Sequence, residues 1–436
     1  MSSRSLFTTV LPLTGAVALT LLTPSYGHAG FAEHGGQVVI PESSTELPEH
    51  VGIKAHTNFR YFIPKAGKAG EQFFRDVAPE QAGGPPFAGY FYETPASLAC
   101  VYQLVPQQVA GCDPNTVTAN PAGGARAIAI VDAYHYPTAV QDLTLFSSQF
   151  GLPLPVTSGP FANFQVVYAN GTRPPVNANW NIEEALDIEW AHAMAPKAKI
   201  YLVEAASSSY SALLTAVSVA NQLVAAAGGG EVSMSWGGSE FSFETSHSYD
   251  GKFTQSGVVY FAAAGDSPGV SWPSTSPNVV SVGGTTISRC QPNSPNCASP
   301  GAFQAEVTWQ SGGGGPSVYE ARPSYQSGIS TIVGTWRGTP DVAADANPST
   351  GVWVYASPYW YIVGGTSVAT PVWAGIVNAA GHFYPTSQEA STLYADRGTT
   401  PITIGTCGPN QGYMANPATL WNFCTGLGSP HGEGGE

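Results

Sequence analysis

From about Ala125 onward the chain alternates short apolar runs with helix-length segments, and this alternation limits the fold more than any other feature. Ala127 to Val131, Phe164 to Ala169, Lys199 to Glu204, Glu231 to Trp236, Val258 to Ala263 and Val279 to Val282 read as strands. Val140 to Phe150, Asn181 to Ala195 and Ser211 to Ala227 read as helices between them. The strands lack clean polar alternation, so both of their faces must be covered. Strands of that kind joined by helices build an α/β fold: a mostly parallel sheet with right-handed crossovers and helices on both faces. Residues 94 to 430 suffice for one large domain of this type. Residues 30 to 93 are punctuated by Gly and Pro with little periodicity and read as an N-terminal extension; 431 to 436 read as a frayed tail.

Arg4, an apolar stretch from Leu6 to Leu22 and then Gly27-His28-Ala29 have the form of a cleaved secretory signal over residues 1 to 29. No later stretch is apolar for the roughly 18 residues a spanning helix needs, so a secreted (extracellular or periplasmic) protein with no membrane partner is expected. The six cysteines fall into three close pairs, Cys100 with Cys112, Cys290 with Cys297 and Cys407 with Cys424, which an oxidising compartment would bridge. Charged residues are only 10% of the chain and the net charge is −14, which excludes nucleic acid as an expected partner and suits work in acid.

Two motifs carry chemistry. Tyr359 to Val363 breaks into Gly364-Gly365-Thr366-Ser367-Val368-Ala369-Thr370-Pro371 and then into an apolar helical run, Val372 to Val377. The glycines permit a sharp turn, and the free amides of a helix N-terminus favour negative charge beside the Ser367 hydroxyl, as an acyl-transfer nucleophile requires. On the Asn181 helix, Glu183 and Asp187 are four residues apart and share a face. Glu183 as base for Ser367, with Asp187 orienting it, would complete such a site. A solvated acidic helix surface is the plain alternative, given Glu184 and Glu189 beside them. His192 lies five residues past Asp187, about 140° around the helix, and cannot join that face.

Glu183-x-x-Leu186-Asp187, Gly365-Thr366-Ser367-x-Ala369-Thr370-Pro371 and Ala264-Gly265-Asp266-Ser267 after a strand together resemble the sedolisin family of serine-carboxyl peptidases. The resemblance covers roughly residues 94 to 430. It implies a subtilisin-like fold, a secreted monomeric endopeptidase acting on protein or peptide substrates at acidic pH, and a Ser-Glu-Asp triad of Ser367, Glu183 and Asp187. It further implies that Asp266 serves the oxyanion hole, and that Ser235, Trp236 and Gly237 pair with extended substrate backbone. A carboxyl base can be poised at low pH where imidazole is fully protonated, and Asp266 must be neutral to donate to an oxyanion. The family's long prodomain has only the short stretch 30 to 93 as its counterpart here, with His50 to Lys65 a candidate remnant packing on the domain. The family's calcium loop has lost both expected carboxylates, to Pro401 and Asn422, so no metal or other cofactor is expected and Cys407 with Cys424 is positioned to staple the same region.

Three rival readings compete. Gly265-Asp266-Ser267-Pro268-Gly269 fits an α/β-hydrolase elbow with Ser267 as nucleophile and Asp345 and His382 following, but Pro268 has no N–H to offer an oxyanion. A Ser-His-Asp site using Asp132 lacks a suitably placed histidine. An inactive exported binding homologue would require that the motifs fail to converge.

Overall fold

The computed structural model describes residues 36–64, 83–87, 89–106, 109–292, 297–396, 398–408, 413–414 and 421–432; the signal-like stretch and the last four residues lie outside these. An eight-stranded sheet runs through the molecule in the order Phe303–Thr308, Val280–Arg289, Val258–Ala263, Gly230–Met234, Ala127–Ala133, Lys199–Ala205, Phe164–Tyr168, with Val342–Asp345 also on the Val280–Arg289 strand. Every pairing is parallel except that of Phe303–Thr308. The central strand shows why polar alternation is missing. Ile128 and Ile130 enter one core with Leu186, Ile188, Val372 and Val377, while Ala127, Ala129 and Val131 enter a second core with Leu213 and Val217. Both faces are buried, so both need apolar side chains.

Helices Ala139–Phe150, Ala178–Met194 and Thr366–Ala380 cover the first face, and Tyr210–Ala226 covers the second. Asn177 caps the Ala178–Met194 helix by accepting from the Asn179 amide, and Ser209 caps Tyr210–Ala226 by accepting from Ala212. Gly151 ends the first helix at φ 69°, a conformation that glycine adopts without strain. The three cysteine pairs are bonded as expected.

Three features differ from the sequence expectation. The strand read as Val279 to Val282 continues to Arg289 because it gains an antiparallel partner on its far half. Residues 36–64, which lack periodicity, form strands Gly36–Val39, His56–Thr57 and Arg60–Pro64. Arg60–Pro64 lies between Gly36–Val39 and Tyr359–Gly364 in a four-stranded antiparallel sheet completed by Val352–Ala356. The third difference is Pro371, which lies inside the Thr366–Ala380 helix rather than before it. Proline cannot bond the carbonyl four residues back, that of Ser367; the Ser235 hydroxyl lies 3.3 Å from this oxygen and takes the place of the missing amide.

Candidate active site

Two parallel strands and one antiparallel strand deliver three of the expected residues to the same place. Gly230–Met234 leads into Ser235, Val258–Ala263 into Asp266, and the antiparallel sheet leads into Gly365 and the Thr366–Ala380 helix. Open α/β sheets place their sites at the carboxyl ends of the strands in this way. The fourth and fifth, Glu183 and Asp187, come from the Ala178–Met194 helix, which packs along the Thr366–Ala380 helix with Met194 and Ala191 against Gly375.

Glu183, Asp187 and Ser367 are fully buried, and so are Glu184 and Glu189. The alternative of a solvated acidic helix is therefore excluded. Glu183 feels Asp187 and Asp132 as neighbouring charges and the nearby Ser367 hydroxyl as a weaker opposing influence, which places it beside the nucleophile. Neither Glu183 oxygen has a hydrogen-bond partner among the described residues. In this arrangement Ser367 Oγ gives its proton to the Ser235 carbonyl at 3.0 Å.

Desolvation, then Asp187 and Asp132, pushes the Glu183 carboxyl well above its ordinary range. Desolvation and Asp132 do the same to Asp187, against an opposing hydrogen bond from Ser235. Two carboxyls so placed titrate as a coupled pair. Ser235 Oγ donates to Asp187 Oδ1 at 2.8 Å and also lies 3.3 Å from the Ser367 carbonyl.

Asp266 is positioned by Thr366, whose backbone N–H and hydroxyl both donate to Oδ1, at 2.8 and 3.0 Å. The Thr366 hydroxyl also accepts from the Gly265 amide at 3.1 Å. Asp266 Oδ2 is buried without a hydrogen-bond partner among the described residues. Burial raises the Asp266 carboxyl to about 7, with Arg60 and Thr366 pulling the other way. At acidic pH it is therefore a neutral acid with one proton to donate.

Gly365 explains its own identity. At φ 119°, a β-carbon there would lie 2.1 Å from the Asn58 carbonyl oxygen and 2.6 Å from Asp266 Oδ2. The same Asn58 oxygen accepts from the Ser367 N–H at 3.0 Å, and the Asn58 N–H donates to Ser367 Oγ at 3.1 Å. A peptide unit thus sits against the nucleophile, its N–H on the serine hydroxyl and its carbonyl on that serine's amide, with an acid oxygen on the far side of Gly365. Beside it a pocket of about 90 Å³ opens between Gly238 and Ser239 on one side and Gly265, Asp266 and Ser271 on the other.

Trp236 and Gly237 pair with extended backbone: Thr57 lies opposite Trp236 and His56 opposite Gly237, antiparallel. The Trp236 ring is not part of that surface, because Nε1 donates to the Val131 carbonyl at 2.8 Å inside the core. The Ser235 hydroxyl faces Asp187 and the Ser367 carbonyl, while its own carbonyl accepts from the Asn58 side chain at 3.4 Å.

The rival sites do not assemble. His382 pairs with Glu389 at 3.0 Å, Asp345 accepts from the Ile287 amide beside Glu306, and Ser267 is exposed. His192 bonds the Pro153 carbonyl at 2.7 Å. Asp132 stands behind the carboxyl pair, fully buried, raised to about 8 by desolvation and then Glu204. Sequence reasoning missed Thr366 as the holder of Asp266, although its place beside the nucleophile was visible, and Asn58, for which no local signal exists.

Ser367 thus stands at a helix N-terminus beside a buried carboxyl pair, on a subtilisin-like sheet. A model of the subtilase family matches residues 176–395. Sedolisin of Pseudomonas sp. (strain 101) is 35% identical over 185 residues, 38% of this chain and 29% of that protein. Kumamolisin of Bacillus sp. (strain MN-32) is 32% identical over 292 residues, 57% of this chain and 49% of that protein. The chain thus spans less than half the length of these relatives. Among solved structures, Pseudomonas sedolisin, a serine-carboxyl proteinase complexed with two molecules of pseudo-iodotyrostatin, superposes with a TM-score of 0.62 at 24% identity, over 78% of this chain and 95% of that one. The chain belongs to the subtilase family.

Proposed function

We propose that the protein is an exported serine-carboxyl endopeptidase that hydrolyses proteins or peptides in acid through an acyl-enzyme on Ser367. The observation that carries this reading is the seating of Asn58 against Ser367, its carbonyl accepting from the Ser367 amide and its N–H donating to Ser367 Oγ, beside Gly365 and Asp266 Oδ2. Glu183 takes the Ser367 proton as Oγ attacks and later returns it to the leaving amine. Asp187 shares the pair's proton and holds Glu183 in its basic form. Neutral Asp266 and the Ser367 amide stabilise the oxyanion. Trp236 and Gly237 hold extended substrate as they hold Thr57 and His56. The chain's negative charge argues against nucleic acid, and no described helix is long and apolar enough to cross a membrane.

The pH dependence follows. Activity requires Asp266 protonated, so kcat/KM falls as pH rises through about 7, where Asp266 loses its proton. Its acid limb reports the first ionisation of the carboxyl pair. Ser367→Ala abolishes cleavage of an unfolded protein substrate at acidic pH, whereas Ser267→Ala retains it. A profile that rises to a plateau above neutrality would indicate an imidazole base and overturn the reading.

The family's calcium does not fit this chain's described residues. Asn422 Oδ1 accepts from the Cys424 and Thr425 amides at 2.9 and 3.0 Å, while Nδ2 donates to the Ile402 carbonyl at 3.2 Å. A side-chain N–H aimed at that carbonyl stands where a hard cation would need an oxygen, and Pro401 offers no carboxylate. Residues 415–420 lie outside the described set. The Cys407–Cys424 bond, 17 residues apart, closes the same region and by loop entropy contributes about 3 kcal/mol. A calcium chelator is expected to leave the melting temperature unchanged, and Cys407→Ser with Cys424→Ser to lower it; a large drop on chelation would refute this assignment.

A further inference from the structure

We propose that Glu240 and Glu244, together with Asp250 and Glu320, are positioning residues for substrate: two carboxyl pairs, each closed by a single proton, that hold the glycine strand Trp236–Ser239 in the shape that takes extended backbone. The proposal rests on the peptidase reading above and concerns the binding half of that reaction.

The strand needs holding from outside. Trp236–Ser239 has four residues, and Gly237 and Gly238 have no side chain with which to anchor it. Both let neighbours approach closely. A β-carbon on Gly237 would lie 2.9 Å from the Trp272 carbonyl oxygen, and one on Gly238 2.6 Å from Tyr210 Oη. One edge of the strand pairs with Ser271–Trp272, and the other is the edge that pairs with extended backbone. What is left to fix it is the chain that follows Ser239.

That chain carries the carboxyls. Glu240, the next residue, accepts from the Ser317 hydroxyl and from the Val318 amide at 3.0 Å, both on the Gly315–Ala321 strand. Ser317 Oγ in turn accepts from the Glu320 amide at 2.8 Å. Glu244 folds the loop back on itself, accepting from the Phe241 amide at 2.7 Å and the Thr275 hydroxyl at 3.3 Å. Asp250 accepts from Trp272 Nε1 at 3.2 Å, on the strand beside Gly238. The Phe241 ring lies 5.4 Å from those of Tyr210 and Trp272 and 5.2 Å from that of Tyr249.

Glu244, Glu320 and Asp250 are 0%, 4% and 7% exposed, and four carboxyls at one junction cannot all ionise. Burial raises Glu244 and Glu320 to about 9, with Glu240 adding to the first and Asp250 to the second. Glu320 Oε1 is buried and receives no donor among the described residues. As acids, Glu244 and Glu320 each have a proton to give, to Glu240 and to Asp250. The other groups facing the junction do not replace those protons. Arg337 faces Glu320 but is paired with Asp341 at 2.5 Å, and Tyr325 and Tyr210 face Glu320 and Glu244. His247 packs on Gly251, Lys252 donates to Ser218 at 3.3 Å, and Glu46 accepts from the Ser239 amide at 2.9 Å. A released loop ionises near 4, so the anchoring is complete in acid and weakens steadily as pH climbs toward about 9.

The test is steady-state cleavage of an unfolded peptide by the full chain between about pH 4 and 7, with KM and kcat followed separately. An amide in place of either acid donates at any pH. Glu244→Gln with Glu320→Gln is therefore expected to hold KM at its acid value up to neutrality, where the wild-type KM has risen about tenfold, while the kcat profile stays that of wild type. Glu240→Ala leaves Glu244 nothing to donate to and is expected to raise KM about tenfold in acid with kcat little changed, the size of one lost hydrogen bond to a charged group. Thermal transitions near that of wild type show that the variants are folded. A wild-type KM that stays constant, a double variant whose KM follows that of wild type, or a Glu240→Ala loss that falls on kcat overturns the proposal. So does a melting transition that collapses in every variant at every pH, which would make the four carboxyls part of the core and nothing more. If wild type cleaves no peptide in acid, the peptidase reading falls and this proposal with it.

Discussion

Glu183→Gln is expected to lower kcat for peptide hydrolysis by about three orders of magnitude or more with KM little changed, and to leave the fold intact. A positioned general base contributes roughly 10² to 10⁴ in rate, and residues that act as a unit fail together when one is removed. The replacement keeps the shape of the side chain and removes only its capacity to take the Ser367 proton. Because Glu183 is fully buried with both oxygens unpartnered, exchanging it for a neutral amide also removes an ionisation that burial penalises. The variant should therefore melt no lower than wild type near neutrality, and its amide can donate to Asp187. Steady-state kinetics at acidic pH with thermal melting at two pH values checks both parts. Retained kcat would remove Glu183 from the mechanism, and loss of kcat with a collapsed melting transition would assign it a structural role instead.

The site was legible where its chemistry is encoded locally. Ser367 follows two glycines at a strand-to-helix turn, and Glu183 and Asp187 share a face through their spacing alone; both patterns survive in any tertiary setting. The parallel sheet was legible because strands buried on both faces cannot alternate. The remainder depends on partners distant in sequence. A helix carrying Glu183, Glu184, Asp187 and Glu189 looks solvated until the Thr366–Ala380 helix and the sheet close over it. Pro371 suggests a helix start just before Val372; only the Ser235 hydroxyl, 132 residues away, lets the helix include it. The strand pairing of His56 and Thr57 leaves no periodic trace, because a two-residue strand has none, and the Asn58 contact to Ser367 spans 309 residues. Thr366 reads as an ordinary helix-entry residue, and its hold on Asp266 becomes visible only when the loop after Val258–Ala263 is brought beside it.

Stability should be greatest in acid and fall steeply as pH rises from about 5 to 9, the reverse of the behaviour of proteins held by paired carboxylates. Burial raises the carboxyls of Asp266 to about 7, Asp132 to about 8, and Glu244 and Glu320 to about 9. Glu183, Glu184, Asp187, Glu189 and Asp345 are also raised, each with desolvation as the main cause. In the unfolded chain these groups ionise near 4. The folded state therefore retains protons that the unfolded state has released, and stability that is complete below the unfolded values is lost as pH climbs through the folded ones. His192 opposes this, since burial lowers its pKa and favours the folded state less as pH falls through the histidine range, but it is one group against many. Each unit of displacement corresponds to about 1.4 kcal/mol, whereas a domain's whole stability is about 5–15 kcal/mol. A few such groups forced to ionise in place are therefore enough to unfold it. Melting temperatures measured by calorimetry from acid to mildly alkaline pH should peak on the acid side and decline across neutrality, with Glu183→Gln declining less; a melting temperature that is flat or rises toward pH 8 would show that these carboxyls are solvated or paired and would remove the physical basis for an enzyme built to work in acid.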